Sequence, residues 1–151
     1  MVFRTDTLQH PDVIALLQEH LRCMREVSPP ESCHALDLSG LRQTDVTFWS
    51  VWDGDVLAGC GALKALSHEH GEIKSMRTAY SHQRQGVATQ MLRQIIAEAN
   101  RRGYRRLSLE TGSMAYFEPA RKLYAAFGFT FCAPFAAYVE DPNSVFMTKT
   151  L

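Results

Sequence analysis

The hydrophobic period of the chain changes near Val87, and this change constrains the fold more than any other feature. Residues 71–80 fit one long strand, and a short polar loop follows them. An apolar stripe at helical spacing then begins, and Gly103 supplies its C-terminal stop. A strand and an amphipathic helix each need a partner for their apolar side, so this unit predicts a helix packed on a sheet. The stripe comprises Val87, Ala88, Met91, Leu92, Ile95, Ile96 and Ala99.

The rest of the chain alternates between predicted helices and strands and contains no internal repeat. Pro11 suits the first turn of a helix, and that helix must end before the Ser28-Pro29-Pro30 turn. Gly54 marks a tight hairpin. We therefore expect a single α/β (or α+β) domain over residues 1–151. The pattern predicts strands over residues 2–5, 47–53, 56–66, 71–80, 105–111, 129–132 and 144–150, and further helices over 35–42 and 119–127.

Composition limits the classes of function that the chain can have. Basic and acidic residues balance at 16 each, whereas a general nucleic-acid binder would carry a basic excess. No apolar run approaches the length of a membrane span, and the N-terminus lacks the apolar core of a secretory signal. The four cysteines form no C-x-x-C pair, which argues against a zinc site or a disulfide framework. We expect a cytoplasmic protein that binds neither nucleic acid nor membrane.

The loop that opens the long helix has the chemistry of a phosphate site. It comprises residues 83–88, with the sequence QRQGVA. A helix N-terminus offers unpaired backbone N–H groups and the positive end of the helix dipole. Gly86 allows close approach of the backbone to a ligand, and the small Ala88 leaves room for it. Taken alone, a glycine at a strand-to-helix turn is weak evidence, and a plain connection is the better interpretation.

A second motif makes the phosphate interpretation specific. The Gln-x-x-Gly-x-Ala pattern at residues 83–88 resembles the pyrophosphate loop of the GNAT superfamily of acetyl-CoA-dependent N-acetyltransferases. The A-x-x-L-Y-x-x-x-G-F pattern of the same family follows in register. Both motifs occur in the right order, separated by a helix and a strand, and the resemblance covers residues 47–132 firmly. The second motif is formed by Ala120, Leu123, Tyr124, Gly128 and Phe129.

This resemblance implies a fold and a cofactor site. The fold would be a mixed, mostly antiparallel sheet of about seven strands, splayed at its centre, with helices on both faces. The pantetheine arm of acetyl-CoA would enter between the strands over 72–80 and 105–111 and pair with backbone groups of Met76 and Thr78. The backbone N–H groups of residues 84–88 would hold the pyrophosphate. The implied cofactor-binding residues are Met76, Arg77, Thr78, Gln83, Arg84, Gln85, Gly86, Val87, Ala88 and Thr89.

The resemblance also implies two catalytic residues. Tyr124 occupies the general-acid position of the family, where a phenol can protonate or stabilise the departing thiolate. Glu72 matches, in its spacing to the loop, the general-base glutamate of the histone-acetylating branch. Glu110 is a rival base or a binder of the acceptor cation, and water is a further alternative. Side chains alternate along a strand, so we expect Glu72, Lys74 and Met76 on one face and Ile73, Ser75 and Arg77 on the other.

The acceptor site is expected between the Pro-Pro loop and the aromatic stretch near the C-terminus. Glu31 and His34 are candidates for contacts with polar groups of the acceptor, and Tyr138 is a candidate for the pocket wall. The loop and the aromatic stretch resemble lids over a small pocket.

Other reactive side chains do not form a recognisable centre. In a strand, His68 and His70 would share a face, but no third ligand is placed. We therefore expect residues 68–70 to form a solvated turn and no metal site. Cys33 and Cys60 have no partner base nearby, and direct transfer needs no covalent nucleophile.

The sequence therefore predicts transfer of an acetyl group from acetyl-CoA to a primary amine of a small molecule, in a ternary complex. One alternative is an acetyltransferase for protein N-termini or lysine side chains, which would need an open groove for a peptide. An alternative of another class is a non-catalytic acyl-CoA-binding sensor or scaffold. Small dimers are common in this superfamily, so a homodimer is also among the expectations.

Overall fold

Seven strands and four helices account for most of the chain, and the computed structural model describes all residues, Met1–Leu151. The helices are α1 (Pro11–Val27), α2 (Leu38–Leu41), α3 (Val87–Arg101) and α4 (Glu118–Ala126). Single 3-10 turns span Pro30–Ser32, Tyr80–His82 and Ala115–Phe117. None of the helices combines the length and apolar character that crossing a membrane requires. The strands are β1 (Val2–Thr5), β2 (Val46–Asp53), β3 (Val56–Ala65), β4 (His70–Thr78), β5 (Arg106–Gly112), β6 (Thr130–Cys132) and β7 (Ser144–Thr150).

One sheet contains all seven strands in the order β1-β2-β3-β4-β5-β7-β6. Every neighbouring pair is antiparallel except β4 and β5, which are parallel. The parallel register runs only from the His70–Arg106 pair to the Glu72–Ser108 pair. Beyond Glu72 the two strands separate and leave a wedge between their C-terminal halves. The predicted mixed, mostly antiparallel sheet with a splayed centre is thus confirmed.

Helices cover both faces of this sheet, as predicted. The face under α1 and α2 buries one apolar cluster, and the face under α3 and α4 buries a second, larger one. Side chains of β5 show the division, because Leu107 and Leu109 lie in the larger cluster whereas Ser108 and Glu110 face the opposite side. The cluster on the α1 side includes Val13, Leu17, Phe48 and Trp52. The cluster on the α3 side includes Trp49, Leu63, Met91 and Ile95.

The helix ends follow the signals in the sequence. Pro11 begins α1, and the ring of His10 accepts the Asp12 backbone N–H as an N-cap. The predicted helix over 35–42 shortens to one turn, because the Asp37 carboxylate caps it from inside that range by accepting the Gly40 N–H at 2.8 Å. Gly103 adopts a positive φ of 78° just after α3.

A β-bulge in β4 corrects the predicted face alternation. Cys60 pairs with Arg77 and Ala62 pairs with Lys74, so two residues of β4 lie opposite Gly61. Ser75 opens the bulge with a φ of 55°. Past this point every side chain changes face. Met76 therefore packs with the cluster under α3, and Arg77 reaches α1 on the same side as Lys74, so the predicted sharing of faces was wrong for both residues.

Candidate acetyl transfer site

One cavity of about 490 Å³ occupies the wedge between β4 and β5. At one end, Gln83 and Arg84 of the loop before α3 line it. At the other end, Tyr138 of the loop between β6 and β7 lines it. A second cavity of about 250 Å³ adjoins it beside α3 and α4 and shares Met76, among other residues, as its wall. The splay of the sheet therefore joins the two predicted halves of the site, because an unbroken sheet would separate them.

The loop before α3 presents the backbone that was predicted to bind phosphate. Gly86 is the N-cap in a left-handed conformation, with φ of 80°, and no side chain caps the helix. A Cβ built on Gly86 would meet no atom within 4 Å, so the space in front of it is open. The first N–H groups of α3 consequently keep their capacity to bind an anion. The Gln85 side chain donates a hydrogen bond to the Ser81 carbonyl and therefore points toward the start of the loop.

A hydrogen-bond chain that the sequence analysis missed anchors this loop. His82 is buried, its Nε2 lies 3.0 Å from Asp53 Oδ2, and its Nδ1 lies 2.8 Å from the Ser81 hydroxyl. Asp53 ends β2, so the chain ties the start of the loop to the β2–β3 hairpin. An adjacent Ser-His pair before the loop is the only local signal, and it does not reveal the partner on β2.

Tyr124 lies where the two cavities meet and lines both. Its ring is buried and packs edge-on against Phe129, with centroids 5.8 Å apart. Burial raises the pKa of the Tyr124 phenol well above its ordinary value. The hydroxyl therefore stays protonated at neutral pH and can donate a hydrogen bond to a developing anion.

Glu72 forms a compact ionic cluster at the closed end of the wedge. Its Oε2 accepts hydrogen bonds from Lys74 Nζ at 3.1 Å and from the Tyr138 hydroxyl at 2.5 Å. Lys74 Nζ also donates to the Tyr138 oxygen at 2.9 Å. Burial, followed by the charge of Glu72, raises the pKa of the Tyr138 phenol well above its ordinary value. Both predicted residues, Glu72 and Tyr138, thus meet at one point, and Lys74 joins them there.

Glu110 faces the same part of the cavity from β5, and burial raises the pKa of its carboxyl above the ordinary range. The ring of His34 packs at a right angle to Tyr138, with centroids 5.1 Å apart. Glu31 is exposed and does not line the cavity, because the 3-10 turn directs Ser32 inward instead. Among the predicted acceptor residues, the cavity thus gathers His34, Glu110 and Tyr138 but not Glu31.

Two loops far apart in sequence roof the end of the cavity at Tyr138, where the acceptor was predicted to bind. The Ser32 hydroxyl donates to Asp141 Oδ2 at 2.6 Å, and the Asn143 amide reaches Ser32 at 3.4 Å. Together with the His34–Tyr138 contact, these bonds hold the loop after α1 against the loop between β6 and β7. Short sequence motifs do not signal such contacts, because the partners lie more than a hundred residues apart.

The cysteines and histidines do not form a second centre. Burial raises the pKa of the Cys60 thiol to about 12, and burial also raises that of Cys33, so neither is an activated thiolate. His70 belongs to β4, where its Nε2 lies 2.7 Å from the Ser108 hydroxyl, rather than to a solvated turn with His68. No group of three or more His, Cys, Asp or Glu side chains is placed to hold a metal ion.

Comparison with known proteins agrees with this geometry. The family model described as the acetyltransferase (GNAT) family matches residues 13–129. The uncharacterized N-acetyltransferase YsnE of Bacillus subtilis is 64% identical over 151 residues, which cover 100% of both chains. A structure described as an acyl-CoA N-acyltransferase from Klebsiella pneumoniae has a TM-score of 0.82 at 29% identity and covers 99% of this chain and 97% of its own.

A further solved structure shares the fold. It is a GNAT family acetyltransferase from Elizabethkingia anophelis with acetyl-CoA bound, with a TM-score of 0.73 at 20% identity, covering 99% of this chain and 97% of its own. The splayed sheet, the uncapped helix and the cavity between them define an acyltransferase that uses an acyl-CoA. Within that class, the chain belongs to the GNAT family and is an acetyl-CoA-dependent N-acetyltransferase.

Proposed function

We propose that the protein transfers the acetyl group directly from acetyl-CoA to a primary amine of a small molecule. The observation that carries this proposal is the single cavity that runs from the loop before α3, through the wedge, to an end roofed by the Ser32–Asp141 contact. A roofed end suits a small acceptor better than a peptide, which needs an open groove.

In the proposed reaction the pyrophosphate of acetyl-CoA lies against the N–H groups of residues 84–88, and Thr89 completes the first turn beside it. The pantetheine arm pairs with the open edge of β4 at Met76 and Thr78. The bulge at Ser75 supports this placement. It changes the direction of the β4 backbone at Met76, and there β4 no longer pairs with β5, so its backbone groups on that side are free to bind a ligand. Main-chain N–H groups there would stabilise the oxyanion of the tetrahedral intermediate.

Two carboxylates are available for the proton of the amine. We assign Glu72 as the general base, since both hydrogen bonds that it receives end on Oε2 and leave Oε1 without a protein partner. Glu110 holds the acceptor cation, and water between them is the alternative path for the proton. The amine then attacks the thioester carbon. When the intermediate collapses, Tyr124 donates its hydrogen bond to the departing sulfur.

An acceptor screen tests the proposal. Purified protein and acetyl-CoA are incubated with small primary amines, with peptides that carry a free N-terminus, and with lysine-containing peptides, and free thiol release is followed. We expect release with small amines and a product heavier by one acetyl group in mass spectrometry. Release with peptides alone would indicate a protein acetyltransferase, and binding of acetyl-CoA without any transfer would indicate a sensor or scaffold.

A further inference from the structure

We call the end of the cavity around Tyr138 the acceptor half. Not every charged side chain that lines it has a salt-bridge partner. Lys74 and Glu72 form an ion pair at 3.1 Å, with both side chains nearly buried. Arg77 Nη2 lies 3.0 Å from Glu19 Oε1 and forms a second pair. Glu110 takes part in none of the eight salt bridges of the protein. Glu110 is therefore the one carboxyl group of the acceptor half that has no salt-bridge partner.

The Glu110 side chain lies where it can contact a molecule bound in the acceptor half. Ser108 of β5 pairs with Glu72 of β4, and Glu110 lies two residues farther along β5, where the strands have already separated. Ser108 bonds His70 on the face of the sheet that also carries Glu72 and Lys74, so Glu110 points to that same face. Glu110 and Glu72 thus flank the wedge from opposite strands.

A half-buried carboxylate without a salt-bridge partner is partly desolvated at a cost, and a cationic ligand reduces that cost. The same field repels a second carboxylate, and repulsion is stronger in a roofed cavity than in water. Arg77 does not offset this effect. Arg77 lines the cavity, but its charge is paired with Glu19, and its Nη2 donates hydrogen bonds to Glu19 and Cys23.

We propose that the acceptor is a cationic amine that carries no carboxylate group, and that Glu110 is the residue that selects it. This inference rests on the proposed function for the reaction, but the binding preference does not depend on turnover. Free amino acids are consequently poor acceptors, whereas amines of the same skeleton are good ones.

The first experiment measures binding without chemistry. The protein saturated with CoA is heated with butylammonium or with butyrate, two ions of equal length and opposite charge, at constant ionic strength. Near half-saturation we expect butylammonium to raise Tm by about 1 °C and butyrate to leave it unchanged. Glu110→Gln should abolish the response to butylammonium. Glu140→Gln removes an equal charge from an exposed position outside the cavity and should keep the response.

The second experiment compares turnover of 2-phenylethylamine, phenylalaninamide and phenylalanine. We expect kcat/KM for the amine and the amide to exceed that for the acid by at least about tenfold, and Glu110→Gln to narrow the ratio to about threefold or less. Phenylalaninamide has nearly the size of phenylalanine but no carboxylate, so this comparison distinguishes an effect of the negative charge from an effect of size.

Two results would overturn the inference: stabilisation by butyrate equal to that by butylammonium, or a response to butylammonium that survives Glu110→Gln. Efficient acetylation of phenylalanine would do the same and would leave the acetyltransferase function intact. Absence of any transfer, together with Glu110-dependent binding of butylammonium, would instead contradict the proposed function and support the cation site.

Discussion

Removal of the Tyr124 hydroxyl tests the proposed chemistry most directly. Tyr124→Phe deletes one oxygen at the junction of the two cavities and keeps the ring that packs on Phe129. Burial raises the pKa of this phenol, so the proposed role of Tyr124 is to donate a hydrogen bond to the leaving sulfur. General acids of this kind contribute at least about a hundredfold in rate. A hundredfold loss corresponds to about 2.7 kcal/mol of transition-state stabilisation.

The assay is free thiol release at saturating acetyl-CoA and acceptor, combined with calorimetric titration of CoA. We expect kcat to fall about a hundredfold and the Kd for CoA to change by less than about twofold. Tyr104→Phe is the matched control, because Tyr104 is buried in the same apolar cluster but does not line the cavity. An unchanged kcat for Tyr124→Phe, or an equal loss in Tyr104→Phe, would refute the acid role and leave Tyr124 as a packing residue.

Three further predictions concern the cofactor loop and the pH dependence of stability. Gly86→Glu should abolish the rise in Tm that acetyl-CoA produces, whereas Gly54→Glu, also at a positive φ with open space around it, should keep that rise. His82→Ala removes the hydrogen bond to Asp53, which is worth about 1.5 kcal/mol. If this bond anchors the loop, KM for acetyl-CoA should rise about tenfold with little change in kcat. A drop in kcat alone would contradict the anchoring role. Burial, followed by the charge of Arg77, lowers the pKa of His20 to about 4. Between pH 6.5 and 4 the unfolded chain then binds the proton more readily, so stability should decline by up to about 3 kcal/mol as pH falls. His20→Leu should flatten that slope in urea unfolding, and an unchanged slope would exclude His20 as its cause.

Local sequence determined the elements and the cofactor half of the site. The apolar stripe from Val87 to Ala99 specifies a helix, because its period fits only that geometry. The predicted roles of Gly86 and Tyr124 concern binding of a phosphate and stabilisation of a leaving thiolate. Short sequence motifs can encode both. These features act over one or two turns of chain, so their signals are contiguous in the sequence.

The tertiary structure alone decided how the acceptor half is assembled. The bulge at Ser75 depends on the pairing of β4 with β3, and it reverses the faces that alternation predicts for Arg77. Tyr138 reaches Glu72 across 66 positions, and Ser32 reaches Asp141 across 109. Such contacts arise from strand order and loop closure rather than from local periodicity. The sequence therefore specified where acetyl-CoA is expected to bind, whereas the fold determined which charged side chains surround the proposed acceptor site.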